Sequence, residues 1–379
     1  MNEIVIDYLI LGGGCSGLSL IDKIIDKNIN HLSFIILEKK EKYLDDKSWC
    51  FWDKNESIFD ELSEKKWKKF VFSLDNKTNI LESCSYNYYY IRSINFYEKI
   101  IKKINNSLNI DLRLNEDILS VKKLESYYRV TTNKRIYTAK NILDTRPNLN
   151  HFNKYPLLFQ SFIGFEIISD HQIPIKKNCA YLMRNMNVEN EKFYFEYILP
   201  LKNNKFLFEL TAFSKVKLPY EYLEKKIKKY LENYKIKNYD IIRKEYGVLP
   251  MGFVNLRKIF KGSNYFYTGT SAGAIRPSSG YAFLRIQNWA EACSLQLKKN
   301  GTLITFPKDT FFLKTLDKIF LKIIYSNIYI CPKVFYLLTK RVSVHAFIKF
   351  MNGNASFIDY IKIILAMPKR IFIRCLLKI

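Results

Sequence analysis

Residues 5–38 constrain the fold of this chain more than any other stretch. Ile6, Tyr8, Leu9, Ile10 and Leu11 form an apolar run broken only by Asp7, the pattern of a strand buried on both faces. Gly12-Gly13-Gly14-Cys15-Ser16-Gly17 follows, with glycines at the G-x-G-x-x-G positions. Leu18, Leu20, Ile21, Ile24 and Ile25 then recur at helical spacing, and Phe34-Ile35-Ile36-Leu37 makes a second apolar strand closed by Glu38. This order predicts a dinucleotide-binding βαβ unit. Gly12 permits the tight turn, Gly14 lets a pyrophosphate approach the backbone, and Gly17 lets the helix pack close to the strand. The helix amino terminus offers free N–H groups and the positive end of its dipole. Glu38 is placed to accept hydrogen bonds from a ribose hydroxyl.

The spacing of the glycines does not separate FAD from NAD; the position of the unit at the amino terminus points to FAD. Beyond Glu38, Trp49-Cys50-Phe51-Trp52 is an aromatic cluster that either seals a loop or walls a cofactor or substrate site. Residues 65–91 read as strand-rich, and Arg92 opens an amphipathic helix with Phe96, Ile100, Ile101 and Ile104 on one face. Strands are expected at 110–114, 118–122, 127–131 and 141–144, the last followed by Asp144-Thr145-Arg146-Pro147 at a strand's carboxyl end, where α/β sheets place ligands. A strand at 159–168 contains Glu166, and strands at 192–199 and 205–213 form a hairpin. Alternation puts Phe206, Phe208 and Leu210 on one face of its second strand and Leu207, Glu209 and Thr211 on the other. A charged surface helix spans 220–234. A strand at 265–268, the small-residue turn Gly269–Gly273 and a helix at 280–297 then offer a second phosphate-friendly turn.

The formal net charge of +25 fits an anionic partner, or else compositional drift, because Lys, Asn, Ile, Tyr and Phe are abundant together. The basic surplus is marked in residues 301–379, where thirteen Lys or Arg face only Asp309, Asp317 and Asp359. Interleaved apolar residues there suit helices lying on an anionic lipid surface, or equally a cap on the protein's own core. The seven cysteines form no C-x-x-C pair and the four histidines show no ligand spacing, so a metal centre is not expected. No signal peptide and no apolar run long enough to span a bilayer are visible.

Taken in order, several stretches resemble the bacterial lycopene cyclases of carotenoid synthesis, relatives of the plant lycopene β- and ε-cyclases. They are the Asp7–Gly17 turn, Trp49-Cys50-Phe51-Trp52, Tyr90-Ile91-Arg92, Asp144-Thr145-Arg146-Pro147 and Gln160-Ser161-Phe162-Ile163-Gly164-Phe165-Glu166. Leu199-Pro200-Leu201, Phe208-Glu209-Leu210-Thr211, Gly247-Val248-Leu249-Pro250-Met251-Gly252 and Gly269 through Tyr281 complete the series, so the resemblance runs from Asp7 to about Trp289. It implies an α/β fold: a Rossmann-like FAD-binding domain of the aromatic-hydroxylase flavoprotein type, an inserted, mostly antiparallel β substrate domain, and a helical C-terminal region. The expected boundaries are 1–75, 93–150 and 255–300 for the FAD-binding domain, 76–92 and 151–254 for the substrate domain, and 301–379 for the basic helical region.

The resemblance further implies bound FAD, active when reduced, with NAD(P)H as electron donor. The substrate would be lycopene or another linear carotene, cyclised without net redox change. From the basic apolar helices of 301–379 and the scattered cysteines, the expected place is the cytoplasm, on the inner face of the cytoplasmic membrane. Gly12, Gly14, Gly17, Glu38, Arg92, Gly269, Gly273 and Ala274 are the expected cofactor residues. The wider superfamily has Gly-Asp where this chain has Gly269-Thr270, which leaves contacts there to backbone N–H groups of residues 271–274. Glu209 matches the family's acidic residue, and Glu196 and Glu166 are expected to share its proton. Protonating an alkene requires a carboxylic acid kept neutral by desolvation. The competing readings are an NAD(P)H-dependent flavin monooxygenase or prenyl reductase of the same fold and, outside enzymes, a basic membrane- or nucleic-acid-binding protein. The latter leaves the glycine turn without purpose.

Overall fold

The computed structural model of the chain describes residues 5–370 apart from 170–172, 174, 235, 237, 256–257 and 259–263. The last nine residues of the basic carboxyl-terminal region, 371–379, therefore lie outside the described residues.

In chain order the elements begin with β1 (Val5–Leu11), α1 (Cys15–Asp26), β2 (Phe34–Glu38), β3 (Ser48–Lys54), β4 (Ser63–Trp67), β5 (Lys69–Leu74), β6 (Lys77–Glu82) and β7 (Tyr86–Arg92). Next come α2 (Ser93–Asn105), β8 (Ile110–Leu114), β9 (Ile118–Lys123), β10 (Tyr128–Thr132), β11 (Ile136–Asp144), β12 (Leu158–Ile168), β13 (Cys179–Glu189), β14 (Lys192–Pro200) and β15 (Lys205–Ser214). The remainder is α3 (Tyr220–Asn233), β16 (Asp240–Met251), β17 (Tyr265–Tyr267), α4 (Phe283–Asn300), α5 (Phe311–Ser326), α6 (Cys331–Arg341), α7 (Val344–Asn352) and α8 (Phe357–Ala366).

The apolar run of β1 is buried because it pairs in parallel with β2 on one side and β11 on the other. The first sheet runs β8-β2-β1-β11-β10-β9, with β17 added in parallel to the end of β11. Helices α1 and α4 pack on it through Leu18, Ile21, Ile24, Trp289 and Cys293. The second sheet runs β16-β12-β15-β14-β13-β5-β6. Its hairpin β5–β6 lies entirely within this sheet, with β5 parallel to β13, so the expected boundary between residues 75 and 76 falls inside one structural unit. Alternating Phe70 and Phe72 on β5 serve the second core, and the strand follows them there.

A three-stranded sheet, β3-β7-β4, stands between the two larger sheets. The aromatic cluster, read as a loop seal or a site wall, is strand β3, and its period of two divides its side chains between two cores. Trp49 and Phe51, with Tyr89 and Ile91 of β7, face the nucleotide-domain core. Trp52, Tyr88 and Tyr90 face the other.

The second sheet is covered on both faces, and alternation along its strands decides what meets what. Phe206, Phe208 and Leu210 pack beneath α3 with Ile163 and Phe165. Leu207, Phe195 and Phe213 face α5 to α8 instead, where Phe335 stacks on Phe193 and Phe347 meets Trp52 and Phe72. The carboxyl-terminal helices thus cap the protein's own core. They also leave Phe311, Phe312, Phe357, Ile358, Ile361, Ile364 and Leu365 exposed beside the exposed Lys314, Lys318, Lys362 and Lys369.

One buried ion pair ties these helices to the rest. Arg276, fully buried, places its Nε and Nη2 at 3.1 and 2.9 Å from the Asp317 carboxylate of α5, and Nη1 donates to the carbonyls of Phe350 and Met351 at the end of α7. Ser278 adds a hydrogen bond to Asp317 at 2.7 Å. Removing one partner strands a buried charge, at about 3–5 kcal/mol. Asp317→Ala is expected to lower the melting temperature and to make residues 301–370 the first segment cut in limited proteolysis; an unchanged melting curve and digestion pattern would show that the pair does not hold the helices.

Candidate functional site

Two sites emerge, one at each sheet. The first is a groove of about 830 Å³ at the carboxyl ends of β1, β2 and β11, lined among others by Gly12, Gly14, Glu38, Lys47, Thr145 and Arg146. Gly12 has φ +103°, and a Cβ there would strike Thr145 Oγ1 at 2.6 Å, so only glycine fits the turn. Gly17 lies behind it, where a Cβ would collide with the Gly12 carbonyl. Gly14 is the reverse case: a Cβ would meet nothing within 4 Å, and open space lies before the N-cap of α1. Glu38 is buried at the end of β2, accepting from Gly13 N at 2.8 Å and Lys40 N at 3.0 Å. A carboxylate has acceptor capacity beyond those two bonds. These features fit a dinucleotide, and Thr145 and Arg146 join them from the segment that sequence placed at a strand's ligand end.

The second glycine turn approaches the first. A Cβ on Gly269 would lie 3.0 Å from Ser16 Oγ, at the start of α1. Of the backbone donors of 271–274 expected to serve a ligand, two are engaged within the turn. Gly273 N donates to Thr270 O and Ala274 N to Gly269 O, within the turn itself. Arg285 binds the carbonyls of Gly273 and Ala274 and so fixes the turn from behind. Arg92 is not among the groove's lining residues; its guanidinium is held by Asp45, with Nε at 2.6 Å, and by Glu64.

The second site is on the inner face of the second sheet. Register places Tyr197, Glu209, Gly164 and Glu245 in one row across β14, β15, β12 and β16. Gly164 is what lets the two carboxylates share this row, since a Cβ there would lie 2.8 Å from Glu245 Cγ. The neighbouring row carries Glu166 opposite Arg243. Arg243 is pinned on every arm: Nε to Glu166 at 3.0 Å, Nη1 to Glu245 at 2.9 Å and Nη2 to the Tyr90 hydroxyl at 2.8 Å. Asp45 stands 3.4 Å from its Nε, and the Ser48 hydroxyl donates to Glu245.

Among the described residues Glu209 has one hydrogen bond, accepted from Thr211 Oγ1 at 2.7 Å. It keeps partial accessibility although it lies deep among other residues, as a group facing an internal space does. Burial, then repulsion from Glu245, push its carboxyl up to about 8, against the opposing pull of Thr211 and Arg243. Its acid form is therefore the main one at neutral pH. Burial likewise drives the phenols of its neighbours Tyr197 and Tyr281 upward and keeps them neutral.

Tyr197 and Tyr281 line a small chamber, about 40 Å³, with Trp52, Phe195, Phe213 and Phe347. Three polar atoms in its wall, Trp52 Nε1, Gln160 Oε1 and Ser279 Oγ, are buried without a hydrogen-bond partner among the described residues. Orphans of this kind mark space that a bound molecule or water fills.

Of the three expected carboxylates, the fold brings Glu166 to the inner face with Glu209 and puts Glu196 elsewhere. Glu196 pairs in register with Leu210, on the α3 side, where Asn185 and the Tyr234 hydroxyl bind it at 3.0 and 2.6 Å. Adjacent residues on a strand point to opposite faces, so Tyr197 rather than Glu196 is the neighbour of Glu209. Glu245 and Arg243, which sequence reading missed, complete the cluster. Their signal was a charged i, i+2 pair just before Gly247–Gly252, readable only once that stretch is known to be a strand.

Comparison with solved structures finds this fold among flavin-dependent oxidoreductases. A flavoprotein/dehydrogenase from Cytophaga hutchinsonii superposes with TM-score 0.61 at 12% identity, over 98% of this chain and 100% of that one. The halogenase PltM in complex with phloroglucinol and FAD gives 0.59 at 12% identity, over 92% and 82%. p-Nitrophenol 4-monooxygenase PnpA from Pseudomonas putida DLL-E4 gives 0.58 at 11% identity, over 99% and 98%. At such identities the likeness is one of fold. The search of curated proteins found no match. The lycopene cyclase protein family matches residues 7–375, nearly the whole sequence, and the chain belongs to that family.

Proposed function

We propose that this protein converts the open ψ end of lycopene to a β ring, with Glu209 as the acid that starts the reaction. The observation that carries this reading is a carboxyl group held up to about 8, beside an aromatic chamber on the inner face of the substrate sheet. An isolated alkene is a poor proton acceptor, and only a carboxylic acid that stays protonated can approach it as donor. Glu209 gives its proton to the terminal double bond, the neighbouring alkene closes on the resulting cation, and loss of a ring proton leaves the cyclic product. Returning that proton to the Glu209 carboxylate balances the cycle without net redox change. Trp52, Tyr197 and Tyr281 offer ring faces to the cation, each worth about 0.5–2 kcal/mol when well placed. Arg243 pairs with both Glu166 and Glu245, so one cation offsets part of their charge while Glu245 still acts on Glu209.

The groove at Gly12, Gly14 and Glu38 fits FAD, the cofactor in the PltM complex. When bound and reduced, with NAD(P)H as the electron source, the flavin would supply negative charge near the developing cation. In this reading Glu38 holds the ribose, and the amino terminus of α1 holds the pyrophosphate. We further propose that the protein works on the cytoplasmic membrane surface. The exposed apolar residues of α5 and α8, flanked by lysines, support attachment there; among the described residues no helix is long and apolar enough to cross a membrane.

In a bacterial host that accumulates lycopene, the wild-type chain is expected to yield γ-carotene or β-carotene by HPLC. Glu209→Gln should reduce product at least a hundredfold while retaining flavin absorbance. Unchanged lycopene with flavin-loaded wild-type protein would overturn the reading and favour hydroxylase or reductase activity.

The pH dependence has a definite sign. Cyclisation needs the neutral acid, so its rate should hold below pH 8 and fall as the pH rises through about 8. Glu245→Gln removes a repelling charge and leaves Arg243 less neutralised; both changes lower the Glu209 pKa. The alkaline limb of the rate profile is expected to move to lower pH in that variant. A limb that stays in place or moves up would show that Glu245 does not act on Glu209.

A further inference from the structure

The carboxyl-terminal helices enclose a second cavity, a cleft of about 300 Å³ between α5, α6, α7 and α8. Phe320, Val334, Phe350 and Ile363 are among the residues lining it. Asp317 is its charged side chain, and that carboxylate is already taken by Arg276 and Ser278. The cleft is therefore a place for a ligand without polar groups.

Its two ends are distinct. At the inner end Ser278, Ser279, Phe335, Leu338 and Met351 line both the cleft and the aromatic chamber, so the two cavities share a wall or neck of five residues. At the outer end Phe311, Phe312 and Ile364 line the cleft and are also exposed, Phe311 to 77%. A largely apolar lining thus runs from the exposed patch, between the helices, to the rings beside Glu209. A chamber of about 40 Å³ has no room for a long chain and admits an end group only as its aromatic walls part.

We propose that the cleft holds the unreacted length of a linear carotene while one end group lies in the chamber, the remainder passing out between Phe311, Phe312 and Ile364. This deepens the proposed function and rests on it for the role of the chamber. It also implies that one end is processed per visit. A molecule with two open ends must withdraw and re-enter reversed, so the one-ring product is released before the two-ring product forms.

The test separates this inference from the reading it rests on. Purified flavin-loaded protein in detergent is incubated with lycopene, passed through gel filtration, and the retained pigment is read by its visible absorption. Wild type and Glu209→Gln should both retain lycopene. Leu338→Trp, which fills the neck, and Ile364→Lys, which puts a charge at the exposed mouth, should each lower retention at least tenfold and lower cyclisation in the lycopene-accumulating host in parallel. Ile364 is half exposed, so its variant tests the path even if the neck variant fails to fold. Wild-type retention and cyclisation in folded variants would overturn the cleft while leaving the cyclase reading intact. Retention lost in the variants without any cyclisation by wild type would do the reverse. Recovery of phospholipid acyl chains from the wild-type protein in place of lycopene would also overturn the inference.

Discussion

A carboxylic acid that stays protonated near pH 7 is a balance, and the substrate half of this protein is arranged around that balance. Burial alone raises Glu209, and Glu245 raises it further; Arg243 and Thr211 hold the value to about 8. Without Arg243 three carboxylates would crowd one face of a buried sheet, and the like-charge repulsion would be relieved by protonation at random or by unfolding. Arg243 is tied to Glu166, Glu245 and Tyr90, so two of the three carboxylates have a cation as partner and Glu209 has none among the described residues. Gly164 makes the geometry possible by leaving room for Glu245 to lie across its strand.

The same arrangement explains why the aromatic strand β3 matters to both halves of the molecule. Its alternate side chains belong to two cores, so the nucleotide groove and the aromatic chamber are positioned by one short sheet. The strand's start, at Ser48, touches Glu245, and Asp45 just before it approaches both Arg92 and Arg243. The segment after β2 therefore touches the charged cluster directly. Halogenases and monooxygenases share the fold, so the chemistry of this chain rests on its site residues and not on the fold.

Much of this was legible in the residues. The glycine turn between two apolar strands fixed the βαβ unit, because close packing of helix on strand admits only glycine at Gly12 and Gly17. The period of two around Glu209 placed it on the face opposite Phe206 and Phe208 correctly. Alternation also carried the information that removes Glu196 from that face, because residue 196 and residue 197 of one strand point opposite ways; the register between β14 and β15 was needed to see which of them meets Glu209. Strands β13 and β16 were not legible: both mix charges with apolar residues, because each edge and face meets a different neighbour.

What the sequence determined by itself was local: the turn that a dinucleotide requires, the helices and strands with a clear period, and the family to which the motifs belong. Tertiary structure decided the charge state of the site and the path to it. Glu209 is an acid because it lies deep in the fold and because Glu245, thirty-six residues later, lies across Gly164 from it. Desolvation and Coulomb repulsion depend on distance in space, and no periodicity along a chain reports them.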